Sequence, residues 1–280
     1  MRALYPHTGR AYSLGITGAP GAGKSTLTDR LVARVRRDGL SVGVLAVDPS
    51  SPFSGGALLG DRVRMQNHAT DPEVFIRSMA TRGHLGGLAL ATPEAMRILD
   101  AAGKDLIVVE TVGVGQAEIK VTDSCDTTLV VLNPGWGDAV QAAKAGLLEV
   151  ADVFVINKAD RDGVRAAERE LAQMLELTPT ERKPEIVKTV ATKGEGIDEL
   201  WAAIARHRAA QSADDLARAR RRRAAAEIRD IATERYRARL EERAGGLVAR
   251  LAADVEARRL DPYEAAERLI RAGEGDSKLG

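Results

Sequence analysis

The stretch "GITGAPGAGKSTLTDRL", Gly15–Leu31, runs from a short apolar segment through a glycine cluster into Lys-Ser-Thr and an amphipathic segment. Gly18, Ala19, Pro20, Gly21, Ala22, Gly23, Lys24 and Ser25 match G-x-x-x-x-G-K-[ST], and Thr26 follows. Glycines let such a loop turn tightly and point several N–H groups at phosphate oxygens. The helix that follows adds its positive N-terminal end. Lys24 is placed to reach the β- and γ-phosphates, and the Ser25 hydroxyl to bind Mg²⁺. The bland alternative is a glycine turn with an exposed lysine. It does not account for the strand before the loop and the helix after it.

Further β-rich runs occur at 42–47, 74–79, 105–110, 127–133, 152–157 and 185–191, with 13–17 leading into the glycine loop. Most are apolar at consecutive positions, as strands buried on both faces are. Strands alternating with helical patterns predict an α/β fold, a mainly parallel sheet flanked by helices. Ligands of such sheets bind at the carboxyl ends of the strands, and the remaining motifs lie where these runs end.

"NKAD", Asn157–Asp160, closes the run "DVFVIN". A buried carboxylate at Asp160 accepts both the N1–H and the exocyclic amino group of guanine. Adenine has no donor at N1 and would leave that carboxylate unpaired, a mismatch worth about 10⁴ or more in selectivity. Without a ligand the same four residues are only a cap and a loop. With the phosphate loop upstream, they specify GTP or GDP. "VVETVGVGQ", Val108–Gln116, puts Glu110 and Gly113 in the pattern of an acidic metal-shell residue and a γ-phosphate sensor, or else of a plain strand end and turn. Most small GTPases have Asp at the acidic position, so Glu110 points to another branch. "VDPSSPFSGGALLGDRVRM", Val47–Met65, sets Asp48 at a strand end near the expected metal. Asp61 follows a Gly/Ser-rich loop suited to a switch. Asp61 is a candidate to orient the attacking water, or equally an N-cap.

The 280-residue chain carries 44% hydrophobic but only 3% aromatic residues, so its core must be aliphatic. The net charge of +1 argues against a protein defined by nucleic-acid or membrane electrostatics. The run Arg220–Arg223 reads as a solvated helix face flanked by acids. Cys125 is the sole cysteine, which excludes an internal disulfide or a Cys-based zinc site. There is no signal-peptide pattern and no membrane-length apolar run, so a soluble cytoplasmic protein is expected. From Gln211 the chain turns Ala-, Arg- and Glu-rich, which divides it into 1–210 and a helical segment 211–280. Ile228, Ile231, Ala232, Tyr236 and Leu240 form an apolar stripe. "AGG" at 244–246 predicts a break, a second helix carries Leu247, Leu251 and Val255, and Asp261-Pro262 predicts the start of a third.

These motifs together resemble the MeaB/ArgK family of P-loop GTPases, accessory proteins of methylmalonyl-CoA mutase and related adenosylcobalamin-dependent acyl-CoA mutases. "GITGAPGAGKST", "VLAVDPSSPFSGGALLGDRVRM", "FIRSMATRGHLGGLA", "VETVGVGQAE" and "NKAD" stand in the family's order, and the likeness covers essentially the whole chain. The resemblance implies a GTPase that gates cofactor loading into a mutase and protects or reactivates it through GTP hydrolysis, with Mg²⁺ at the phosphates. It implies a C-terminal dimerisation arm at 211–280 and a homodimer. Carried over by motif, Lys24, Asp61 and Glu110 serve hydrolysis, and Ser25, Asp48 and Glu110 the metal. Asn157 and Asp160 read guanine, and Lys158 lies along the base. Asp138 and Lys144 match a further switch that transmits nucleotide state to the mutase. There the chain departs from the family pattern at Trp136 and Ala139, which puts the choice of mutase in doubt. Many relatives have a helical extension before the phosphate-loop strand, whereas here that strand begins almost at once.

Three other readings compete. A nickel or zinc metallochaperone of a related branch wants Cys/His clusters, but His7, His68, His84 and His207 are scattered. A small-molecule kinase wants an acceptor site. A non-catalytic interaction protein would bind nucleotide without stimulated turnover.

Overall fold

The computed structural model describes residues 1–48, 65–68, 70–80, 85–111, 124–135, 148, 150–177 and 183–274. The chain divides into two compact units, Met1–Arg220 and Arg221–Gly280. The first unit is built on seven strands: β1 (Tyr12–Gly18), β2 (Val42–Asp48), β3 (Val74–Ala80), β4 (Leu106–Thr111), β5 (Thr127–Leu132), β6 (Val153–Asn157) and β7 (Glu185–Thr189). They form one sheet in the order β3-β2-β4-β1-β5-β6-β7, and every pairing is parallel. Each strand lies at one of the predicted β-rich runs. Among the described residues this unit also contains α1 (Lys24–Arg37), α2 (Leu85–Ala101) and α3 (Val164–Leu177) between strands, and α4 (Ile197–Ala210) after β7.

Strands β1, β4, β5 and β6 are buried at every position, because helices cover both faces of the sheet. Along β4, Leu106 and Val108 join one core with Leu14, Ile16, Leu27 and Leu31. Ile107 and Val109 join the core on the other face with Leu45, Val47 and Leu99. This strict alternation is why a one-residue slip in register would not be tolerated. From β1 the chain winds first to one side, through β2, β3 and β4, and then to the other, through β5, β6 and β7. A crevice for ligands opens where the two windings diverge, at the carboxyl end of β1.

The amino edge of the sheet carries a buried polar chain. The Tyr12 hydroxyl bonds Thr127 Oγ1, which lies 2.6 Å from His207 Nδ1. His207 Nε2 in turn sits 3.1 Å from Asp152. A carboxylate only accepts, so Nε2 carries the proton there, and in the neutral ring Nδ1 accepts from Thr127. Burial, aided by the charges of Asp126 and Asp152, pushes the Tyr12 phenol up to about 12. Between pH 10 and 12 the unfolded chain therefore loses a proton that the folded chain keeps. Stability is expected to fall by roughly 2–3 kcal/mol across that window. Urea unfolding at stepped pH checks this. Tyr12→Phe should flatten that part of the curve, and an unchanged slope in the variant would assign the loss to other groups.

The break predicted at 244–246, in the second unit, is absent: one helix, α5 (Ala213–Glu256), runs for 44 residues. Glycine costs about 1 kcal/mol in a helix. Leu240, Ala244, Leu247, Leu251 and Val255 nonetheless continue one apolar stripe past the two glycines. Ala244 and Leu251 are buried, and the stripe packs with Leu260, Ala265 and Leu269. Helix α6 (Pro262–Glu274) starts as predicted, with the Asp261 carboxylate accepting the N–H groups of Tyr263 and Glu264. Helix α6 seats closely on α5 at Gly273, where an added Cβ would lie 2.1 Å from Leu240 Cδ2 and displace that side chain. Among the described residues no helix is long and apolar enough to cross a membrane.

Candidate nucleotide site

The loop Gly18–Ser25 leaves the carboxyl end of β1 and enters α1. At Gly18, φ is +136° and an added Cβ would stand 2.0 Å from the Val131 carbonyl oxygen, so only glycine fits between β1 and β5. At Gly23, φ is +90° and a Cβ would meet Asn157 Nδ2 at 2.5 Å. Gly23 caps α1 with no side chain, which leaves the positive helix end to the loop. Lys24 is only 6% exposed, and its ammonium donates to the Gly18 and Ala19 carbonyls at 2.7 and 3.0 Å. A cation held against the loop's own carbonyls is poised for a phosphate.

Ser25 donates its hydroxyl to Glu110 Oε1. Glu110, 1% exposed, lies on β4 in register with Ile16 of β1 and Ala46 of β2. The expected metal pair is thus in contact. Both groups are hard oxygen donors, which suits Mg²⁺, an ion usually held by one or two protein oxygens together with phosphates and water. Asp48 ends β2, one position beyond the Val47–Thr111 pair of the β2–β4 ladder. Among the described residues no group of three His, Cys, Asp or Glu side chains could hold a metal by itself. Asp61, Gly113, Asp138 and Lys144 lie outside the described residues, as do Trp136 and Ala139.

Asn157, at the end of β6, rivets the phosphate loop to the turn after β7. Its Nδ2 donates to the Ala22 carbonyl at 2.8 Å, while its Oδ1 accepts from Thr189 Oγ1 and the Ala191 N–H, both at 3.1 Å. Lys158 adopts φ +59°, a conformation that strains a residue with a Cβ. Two bonds over-determine it: Lys158 Nζ to the Gly21 carbonyl at 2.6 Å, and the Ala159 N–H to the Thr189 carbonyl at 3.0 Å. Asp160 is exposed rather than buried, with Lys193 Nζ 3.4 Å away.

The sequence reading missed the turn after β7. Ala191, Thr192 and Lys193 border Asn157 and Asp160, and Gly194 and Gly196 take φ of +77° and +78°. The signal was the run "TKGEG" directly after a strand, but its contribution comes largely from backbone groups, which no residue type announces.

A strand–loop–helix with a buried lysine, a Ser–Glu pair beneath it and an Asn-riveted second loop defines a P-loop nucleotide-binding protein of the guanine-reading kind. The model of the family "Methylmalonyl Co-A mutase-associated GTPase MeaB" matches residues 1–244, and the chain belongs to that family. A protein of Pyrococcus abyssi, provisionally named a GTPase, is 50% identical over 278 residues, 97% of this chain and 86% of that one. GTPase ArgK of Escherichia coli K12 is 42% identical over 210 residues, 73% of this chain and 63% of that one. A solved structure described as a LAO/AO transport system kinase superposes with a TM-score of 0.72 at 29% identity, covering 96% of this chain and 83% of that one. The chain is a GTP hydrolase of this family.

Proposed function

We propose that this GTPase serves an adenosylcobalamin-dependent acyl-CoA mutase, with methylmalonyl-CoA mutase favoured, gating cofactor loading and protecting or reactivating the mutase through GTP hydrolysis. The observation that carries the reading is the family match over residues 1–244, joined to a site whose phosphate-holding parts are in contact. Water attacks the γ-phosphate in line, and positioning and electrostatics supply most of the acceleration. Lys24 neutralises charge at the β- and γ-phosphates. Ser25 and Glu110, with Asp48, would hold Mg²⁺, which when bound offsets charge on the phosphates. Asn157 ties the phosphate loop to the base loop, Asp160 reads the base, and Lys158 lies along it. Asp61 is the candidate to orient the water and Gly113 to sense the γ-phosphate. Asp138 and Lys144 carry nucleotide state to the mutase. Residues 1–210 act as the G domain and 211–280 as the arm of a cytoplasmic homodimer, with neither nucleic acid nor membrane as partner.

The test is GTP hydrolysis by the purified chain, alone and with each candidate mutase, with ATP as control, on a preparation whose mass is read by light scattering. Slow turnover alone, a rise of at least about tenfold with one mutase, and a dimer mass are expected. Turnover that no mutase changes would refute the chaperone role while leaving the GTPase intact, and a monomer mass would refute the arm.

A further inference from the structure

We propose that Arg30 is a positioning residue for guanine recognition, a role that rests on Asp160 reading the base. Arg30 lies on α1, six residues beyond Lys24, on the helix that carries the phosphate loop. Its Nε donates to the Ala191 carbonyl at 3.2 Å and a terminal nitrogen donates to the Thr192 carbonyl at 3.3 Å. Two successive peptides are therefore held by one planar group, whose donors are fixed in a fork where those of an ammonium are free to rotate.

The bonds around this turn close a circuit. The Ala22 carbonyl in the phosphate loop accepts from Asn157, whose other amide atom accepts from the Ala191 N–H. The Ala191 carbonyl accepts from Arg30, and α1 leads back to the phosphate loop. The residue after the clamped pair is Lys193, whose ammonium stands 3.4 Å from Asp160. Arg30 thus fixes the turn that presents a counter-charge to the base-reading carboxylate. Arg34 and Arg37, on the same helix, bind Asp198 of α4 instead, so the joint between the two helices does not depend on Arg30.

The purpose of such a clamp is the two-point grip of Asp160 on N1–H and the exocyclic amine. A carboxylate that wanders keeps one bond more easily than two. Loosening the turn should therefore weaken GDP more than IDP, which lacks the amine.

The experiment measures dissociation of a fluorescent GDP, the affinities of GDP and IDP, and steady-state GTP hydrolysis for wild type, Arg30→Met, Arg30→Lys and Asp160→Asn. Methionine keeps an unbranched apolar stem without donors. Arg30→Met should speed GDP release by about tenfold and lower the GDP-to-IDP affinity ratio. The loss should fall on KM rather than kcat, and Arg30→Lys, which keeps a charged donor without the fixed fork, should recover part of it. Wild-type release and ratio in Arg30→Met would overturn the inference. So would equal weakening of GDP and IDP with no recovery in Arg30→Lys, the mark of a general structural role. If Asp160→Asn leaves the ratio unchanged, the base-reading assignment itself fails and takes this inference with it. A ratio collapsed by Asp160→Asn but unmoved by Arg30→Met removes Arg30 alone.

Discussion

Lys24→Ala is expected to weaken GTP binding by about 10²- to 10³-fold and to abolish measurable hydrolysis. The ammonium is nine-tenths buried at the mouth of the loop and already makes two hydrogen bonds to carbonyl groups. Exchanging those for phosphate oxygens replaces neutral acceptors by charged ones, and bonds to charged groups are worth roughly 1.5–3 kcal/mol each. Two such bonds total about 3–6 kcal/mol, and the two carbonyl bonds given up in exchange bring the expected loss to the lower end of that range. The variant should still fold. Alanine is the best helix former, and the backbone carbonyl of residue 24 continues to accept from Thr28 Oγ1. The Gly18 and Ala19 carbonyls lose a donor, which lowers stability by about 1–2 kcal/mol, much less than the loss in binding. Titration calorimetry with GTP, beside a thermal melt, separates the two effects. Wild-type affinity in a folded variant would remove Lys24 from the phosphate site.

Legibility from sequence followed the physics of each feature. The strands were visible because burial on both faces demands apolar residues at consecutive positions. Polar–apolar alternation plays no part in such runs: Leu106–Val109 is apolar throughout. The phosphate loop was visible because Gly18 and Gly23 occupy positions where a Cβ collides. The order of the strands was not legible, because parallel strands joined by long crossovers leave no local trace of their neighbours. The continuous α5 was misread because Gly245-Gly246 suggests a stop, while the stripe that overrides it is only apparent when Leu240 and Ala244 are counted with Leu247 and Leu251. Arg30 was invisible for another reason: an arginine on the polar face of an amphipathic helix looks like any solvated charge. Its two acceptors are backbone carbonyls some 160 residues away.

Asp160→Asn should exchange the preferred base. Guanine offers two donors along the edge that Asp160 faces, N1–H and the exocyclic amine, and a carboxylate supplies two acceptors. Asparagine supplies one acceptor and one donor. Against guanine the amide then loses a bond and sets donor against donor. Xanthine keeps N1–H but carries a carbonyl in place of the amine, so the amide matches it at both points. The exposure of Asp160 limits the size of the effect, because water and Lys193 attend the carboxylate when no base covers it. GTP affinity should fall by about 10²-fold and XTP affinity rise by about tenfold, each bond being worth about 1–2 kcal/mol in a partly solvated site. ATP should bind weakly to the wild type, since adenine has no donor at N1, and should gain less than XTP in the variant, whose amide can donate to adenine N1 but finds only C–H beside it. Competition of GTP, XTP and ATP against fluorescent GDP measures all three. Unchanged GTP affinity with no gain for XTP would show that the carboxylate does not face the base. The guanine preference would then have to come from the backbone of the turn at Ala191–Lys193, which Asn157 and Arg30 hold in place.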